Sequence, residues 1–153
     1  MDMAGRRRAV SLALLACALP WPAQAQGTIS VSGDPPPLVI AGAVAGGQPD
    51  PVTDASTTYN VVNSSANQTA RIMARLDAPL PPGVTLEVML EAPPGATSLG
   101  PVALTTVDQN LVVGVPPAGS GLGLHVSYRL TATVSAGVVG PLTRQVIFTV
   151  ASP

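Results

Sequence analysis

The sequence predicts an all-β protein, an antiparallel β-sandwich of about eight strands. Apolar residues alternate with polar ones over several segments, as in strands that bury one face. No stretch of about 11 residues keeps the apolar spacing of an amphipathic helix without Pro or Gly. The 15 Gly and 17 Pro residues gather in turn-forming clusters between the alternating segments. Short strands separated by such turns are typical of two packed antiparallel sheets.

Eight or nine segments have the composition of strands. In chain order they are Thr28–Ser32, Leu38–Ala43, Thr57–Val62, Ile72–Leu76, Val84–Glu91, Val102–Thr105, Leu111–Val115, Leu122–Val134 and Thr143–Val150. The longest, Leu122–Val134, places Tyr128 and other apolar residues on one face and His125 on the other. Tyr59 also falls in an inward register. The apolar faces of these strands are therefore the predicted core.

Opposite charges predict one hairpin and its register. The segments 70–77 and 84–91 flank the turn Pro81-Pro82-Gly83, and their charged residues alternate with apolar ones. An antiparallel pairing opposes two pairs of oppositely charged residues: Arg71 with Glu91, and Arg75 with Glu87. Such pairs fix the register, since a slip of one residue inverts every side chain. A second hairpin is predicted between 57–62 and 70–77.

The first 25 residues have the order of a secretory signal peptide. The cluster Arg6–Arg8 precedes the apolar run Ala9–Leu19, and Ala23-Gln24-Ala25 fits a signal-peptidase site. We expect cleavage after Ala25, which leaves residues 26–153 as one domain and no transmembrane segment. The segment ending at Cys17 resembles a bacterial lipobox, so a lipid anchor at Cys17 is a competing interpretation. A twin-arginine signal is another.

Composition then narrows the function of the mature chain. It has four basic and seven acidic residues, a net charge of −3 (4 minus 7), and no cysteine. This charge argues against nucleic-acid binding, which requires clustered Lys and Arg. An exported domain without disulfides depends on its hydrophobic core, and a chain of this length can bury one.

Candidate catalytic and metal-binding residues are few. His125 is the single histidine, and neither Ser120, Ser127 nor Ser135 lies in a nucleophile-elbow motif. We therefore expect no enzymatic activity, no metal site and no cofactor. The loop acids that compete as calcium ligands are Asp34, Asp50 and Asp54, but they lack a known calcium-binding spacing. Asn63 and Asn67 match the N-glycosylation pattern and are interpreted as turn residues.

Three segments carry a resemblance to a known type of protein: Tyr59-Asn60-Val61, Leu80–Leu86 and Arg144–Val150. Together with the leader, they resemble bacterial secreted immunoglobulin-like proteins of the fimbrial-subunit or spore-coat-U type. The chain lacks the disulfide and the penultimate Tyr that many fimbrial subunits carry.

The resemblance implies a periplasmic, cell-surface or extracellular protein. It implies a structural or adhesion role, as a subunit or accessory of a surface appendage or envelope layer. Its partners would be copies of itself or other envelope proteins, joined by strand addition.

The candidate strand donor is the segment 26–32, in which Ile29 and Val31 alternate with polar residues. The competing interpretation is that this segment is the domain's own first strand. A monomeric binding module for a carbohydrate or a partner protein is the alternative function.

Overall fold

The computed structural model describes residues 27–42 and 46–153, and these form nine β-strands and one short 3-10 helix. The strands are β1 Gly27–Ser32, β2 Val52–Asn63, β3 Ala70–Leu76, β4 Val84–Leu90, β5 Thr97–Ser98, β6 Val102–Ala103, β7 Gln109–Val115, β8 Ser120–Ala132 and β9 Val146–Ala151, with the 3-10 helix at Val134–Ala136. The predicted signal peptide, with Cys17, lies outside the described residues.

The strands form two sheets in which every neighbouring pair is antiparallel. Sheet A has the order β1-β2-β8-β4-β6, and sheet B has the order β5-β7-β3-β9. Their apolar faces meet in a shared core. The predicted all-β antiparallel sandwich is therefore confirmed.

Alternation of side chains builds this core. Along β3, Ile72 and its even-numbered neighbours are buried, while Arg71, Met73 and Arg75 lie on the outer face. Tyr59 is 1% exposed and Tyr128 is 5% exposed, as their registers predict. Aliphatic side chains supply most of the remaining core. Their burial stabilises the fold by roughly 25 cal/mol per Å² of apolar surface.

The two predicted hairpins are wrong. β3 belongs to sheet B, between β7 and β9, whereas β4 belongs to sheet A, between β8 and β6. The connection 77–83 crosses from one sheet to the other instead of closing a hairpin. β2 likewise pairs with β1 and β8, not with β3. Alternation fixes which face of a strand is buried, but it does not identify the neighbouring strand.

One predicted strand, Leu38–Ala43, differs from its predicted conformation. Residues 38–42 are not in a strand, although Leu38 packs against the core, and three prolines precede them. Proline lacks the N–H that a ladder needs, which explains the irregular backbone before Leu38. The turn at Gly83 is as predicted, with φ at 81°, and its carbonyl accepts a hydrogen bond from the Thr133 amide at 2.8 Å.

Candidate functional site

The charged residues of the predicted hairpin have other partners. Arg129 Nη1 lies 3.2 Å from Glu87 Oε2, on the paired strands β8 and β4. Arg75 Nε lies 3.6 Å from Asp108 Oδ1, and Asp108 directly precedes β7, the neighbour of β3 in sheet B. The pairs Arg75–Glu87 and Arg71–Glu91 therefore do not form, because their residues lie in different sheets. Among the described residues, Arg71 Nε is the one buried side-chain polar atom without a hydrogen-bond partner.

Glu91 instead joins two strands of sheet A. Its amide donates to the carbonyl of His125 at 3.0 Å, and its own carbonyl accepts the hydroxyl of Tyr59. The amide of His125 then donates to the carboxylate oxygen Oε2 of Glu91 at 3.0 Å. Burial, and next the negative charge of Glu91, raise the pKa of Tyr59. The side chain of Glu91 thus continues the β4–β8 ladder beyond the last strand residue.

The structure places His125 on the exposed side of β8, as its register predicts. Its contact with Glu91 uses the backbone amide, not the imidazole. The hydroxyl of Ser135 forms a hydrogen bond with the hydroxyl of Thr133 at 2.7 Å, and not with His125. No side-chain hydrogen bond to the His125 imidazole is found among the described residues, so these groups do not form a hydroxyl–imidazole pair.

Asp54, one of the acids predicted to lie in a loop, lies within β2 instead. The carboxylate of Asp54 accepts hydrogen bonds from the amide of Ser56 at 3.2 Å and from its hydroxyl at 3.0 Å. Burial raises the pKa of Tyr128, with further contributions from Asp54 and then Asp34. In residues 27–42 and 46–153, no group of three or more His, Cys, Asp or Glu side chains could hold a metal ion.

The prediction of Asn63 as a turn residue is wrong, because Asn63 is the last residue of β2. Its side chain is 1% exposed, and its amide nitrogen donates to the carbonyls of Gln68 and Pro116, both at 2.9 Å. Its amide oxygen accepts the Ser65 amide at 3.0 Å. The carboxamide therefore holds together the 64–69 loop and the end of β7.

The candidate strand donor lies at the edge of sheet A as β1. It pairs with β2 along its whole length, from Gly27 opposite Asn63 to Ser32 opposite Thr58. Ile29 packs against the core, whereas Val31 is 36% exposed. The structure thus shows this segment as the domain's own first strand.

Gly27 lets the backbone of β1 lie close to β2 and β9. A Cβ atom at Gly27 would lie 2.3 Å from the carbonyl oxygen of Val62 and 2.9 Å from Val150 Cγ1. No side chain is accommodated at these distances, so the backbone of β1 approaches β2 and β9 where only glycine fits. Sequence reasoning missed this residue, although a glycine in a strand often marks such an approach.

The two lateral sides of the sandwich differ. On one side, the edge strands β5 and β6 have two residues each. On the other, β1 and β9 have six residues each and contact one another across the two sheets. We call the side formed by β1 and β9 the open side. Long edge strands present unpaired N–H and C=O groups to other chains, whereas very short ones do not.

An apolar groove of about 340 Å³ lies at one end of the sandwich, where the connections of both sheets meet. Its lining includes Leu76, Leu80, Val84 and Leu104, together with hydroxyl groups of three threonines. We call it the loop-end groove. Its lining residues include no ionisable side chain, and their apolar side chains fit an apolar group.

Among the described residues, no helix has the length and apolarity required to cross a bilayer. No protein-family model, curated protein or solved structure matches the chain.

Proposed function

We propose that the protein is an exported, non-enzymatic structural or adhesion-type component, a subunit or accessory of a surface appendage or envelope layer. Its copies associate by exchange of β1. The observation that supports this proposal is the attachment of β1, which pairs with one strand alone at the open side.

The side chains of β1 add little to its attachment. Ile29 is the strand's one large side chain packed against the core, and Val31 is partly exposed. Thr28 and Ser30 are exposed, and the hydroxyl of Ser32 forms hydrogen bonds with the backbone and the hydroxyl of Thr58 on β2. Most of the attachment therefore comes from ladder hydrogen bonds, which β1 can form equally well with β2 of another copy.

The connection between β1 and β2 permits such an exchange. Described residues 33–42 and 46–51 form no backbone–backbone hydrogen bonds, although the side chain of Gln48 accepts the amide of Val134 at 2.9 Å. Three prolines, Pro35 to Pro37, favour an extended backbone. A connection of this length spans up to roughly 60 Å when extended. β1 can thus reach a neighbouring copy without disturbing β2.

Gly27 gives the exchange its specificity. An incoming strand must place glycine between Val62 and Val150, since any Cβ there collides with backbone. The register of β1 on β2 is therefore fixed at one end, and a strand shifted by one residue is excluded. A second copy of the same chain supplies this glycine in the correct position.

The test compares the intact protein with a chain lacking residues 26–32, by analytical ultracentrifugation. The intact protein is expected to form larger assemblies than the truncated one. A synthetic peptide of residues 26–32 is expected to bind the truncated chain, and the same peptide with Gly27→Val is not. Equal sizes for the two proteins, or equal binding of the two peptides, would contradict the proposal.

A control variant separates this effect from a general effect of added bulk. Gly42→Val adds the same side chain at a glycine with open space around it. Intact protein carrying Gly42→Val is expected to assemble as the unaltered protein does. Intact protein carrying Gly27→Val is expected to assemble as the truncated one does.

The second candidate function is a monomeric binding module, and the loop-end groove favours it. Tyr59 and Tyr128 are both buried, so neither offers an exposed aromatic platform for a sugar. The groove, lined by Leu80 and Leu104, suits an apolar side chain of a partner protein instead. A protein that stays monomeric with and without residues 26–32 would support this function over the first.

A further inference from the structure

We propose that β9 is a self-association edge, at which two copies of this chain pair β9 with β9 in antiparallel orientation. Sheet B of one copy would then continue into sheet B of the other. This inference concerns a different strand and a different sheet from the exchange of β1, and it does not depend on that exchange.

The free hydrogen-bonding groups of β9 follow from its ladder with β3. The amide of Asp77 donates to the carbonyl of Gln145 at 3.1 Å, one position beyond the ladder pair Leu76–Val146. Antiparallel ladders alternate between pairs that exchange hydrogen bonds and pairs that do not. The odd-numbered residues of β9 therefore bond to β3. The even-numbered residues, Val146, Phe148 and Val150, direct their N–H and C=O groups away from it.

These outward groups have no partner in the described part of the chain. β9 pairs with β3 alone, and no backbone–backbone hydrogen bond joins it to residues 33–42 or 46–51. The edge is therefore a row of three unpaired donor–acceptor positions. Extended backbone from another chain satisfies such a row by adding a strand.

The composition of β9 lacks the features that protect natural edges. The strand Val146–Ala151 contains no charged residue, no proline and no glycine, and four of its six residues are Val, Ile or Phe. Protected edges carry lysine, proline or a bulge, or are very short. The edges opposite, β5 and β6, are protected by their length of two residues each. β9 thus differs from the other edge of its own sheet.

A second copy is the partner that fits this edge best. When Phe148 lies opposite Phe148 of the second copy, Val146 of each copy meets Val150 of the other. All the outward N–H and C=O groups are then paired. On the outer face, Ile147 meets Thr149 of the second copy, with no opposition of like charges. The pairing is two-fold symmetric, so it closes as a dimer.

The test uses a double variant, Ile147→Lys with Thr149→Lys, studied by sedimentation velocity over a range of protein concentrations. In the proposed register, position 147 of each copy lies opposite position 149 of the other. The double variant therefore places two pairs of lysines directly opposite each other, and these pairs repel. The chain that lacks residues 26–32 and carries no substitution is expected to dimerise as its concentration rises. The double variant in the same chain is expected to remain monomeric, with an unchanged circular dichroism spectrum.

Met73→Lys is the matched control, because Met73 is opposite Thr149 on the same outer face but one strand inside the edge. It is expected to retain the dimer. The proposal would be overturned if the truncated chain without substitutions stayed monomeric at every concentration. It would also be overturned if the double variant dimerised as strongly as that chain. Both experiments use chains without residues 26–32, so they are decided independently of the exchange of β1.

A spin label tests the register directly. Because the mature chain has no cysteine, the variant Thr149→Cys carries a single nitroxide on the outer face of β9. In the proposed dimer, the two labelled positions are separated by about 8 Å between Cα atoms, from the strand spacing and rise. Strong dipolar broadening is expected in the dimer. A dimer without broadening would place the interface elsewhere and overturn the proposal.

Discussion

The hydroxyl of Tyr59 on β2 donates a hydrogen bond to the backbone carbonyl of Glu91, just beyond the end of β4. β8 lies between these two strands in sheet A, so this bond passes across a whole strand. It occupies the carbonyl that would otherwise accept the amide of His125. The carboxylate of Glu91 takes that amide instead, at 3.0 Å. The Tyr59 hydroxyl and the Glu91 carboxylate thus both bind backbone groups at the end of the β4–β8 ladder.

Replacement of Tyr59 by Phe is expected to destabilise the fold by about 1–2 kcal/mol. The variant keeps the ring in the core but leaves the carbonyl of Glu91 without its donor. Urea unfolding followed by circular dichroism measures the change. Tyr128→Phe is the control, since the Tyr128 hydroxyl has no hydrogen bond within the described residues, and it is expected to cost less than about 0.5 kcal/mol. Equal losses for the two variants would contradict the role of the Tyr59 hydroxyl.

Alkaline pH is expected to weaken the fold. Burial raises the pKa of both tyrosines above the ordinary tyrosine value of about 10. Above about pH 10 the unfolded chain therefore releases tyrosine protons that the folded chain retains, and the free energy of unfolding falls as pH rises. Below that pH the contribution is fully present. Urea midpoints measured from about pH 8 to about pH 11 should decline, and less steeply for Tyr59→Phe.

The ultraviolet absorbance of tyrosinate provides an independent measurement. The chain has two tyrosines, and both are buried. In the folded protein, tyrosinate absorbance is expected to appear only well above the pH at which it appears in urea-unfolded protein. Coincident titration curves would show that the hydroxyls are accessible to solvent, contrary to the structure.

The ion pair between Glu87 and Arg129 is expected to contribute little, about 0.2–1 kcal/mol, because both side chains are partly exposed. A double-mutant cycle with Glu87→Gln and Arg129→Gln measures this coupling, which salt should reduce. The matched cycle with Glu87→Gln and Arg75→Gln should give no coupling, since Arg75 lies in the other sheet. Coupling in the second cycle and not the first would restore the hairpin that the sequence predicts.

The two possible partners of Glu87 also show what the alternation of side chains can and cannot predict. The pattern around Glu87 correctly identifies a strand and its buried face, because the period of two is a property of one segment. The partner of Glu87 depends on whether 77–83 turns back within a sheet or crosses between sheets. Pro81-Pro82-Gly83 is compatible with both. Arg75 and Arg129 are equally plausible partners until the topology is known.

The candidate site residues likewise fall into two groups: those whose position follows from the register of one strand, and those whose position depends on the topology. The exposure of His125 and the burial of Tyr128 come from register alone, and both were predictable. The close fit at Gly27 and the edge position of β9 depend on contacts between distant segments, Val62 and Val150 among them. A single sequence carries no local signal for such contacts. The strand predicted at Thr143–Val150 includes Arg144, and its edge position and the uncharged bounds Val146–Ala151 come from the structure.

Asn63 and Asn67 make a final matched pair, because they lie four positions apart in the same pattern and differ only in environment. The Asn63 amide is buried and bonds to the carbonyls of Gln68 and Pro116 and to the amide of Ser65, whereas Asn67 is exposed. Asn63→Ala leaves those backbone groups without partners, so it is expected to cost about 2–4 kcal/mol.

Asn67→Ala is expected to change the free energy of unfolding by less than about 0.5 kcal/mol. Urea unfolding of both variants, followed by circular dichroism, measures the difference. Asn63→Asp should be at least as damaging as Asn63→Ala, because it directs a carboxylate at two carbonyl oxygens. If Asn63→Ala were as stable as Asn67→Ala, the carboxamide would not hold the 64–69 loop against the end of β7, and its burial would have no structural consequence.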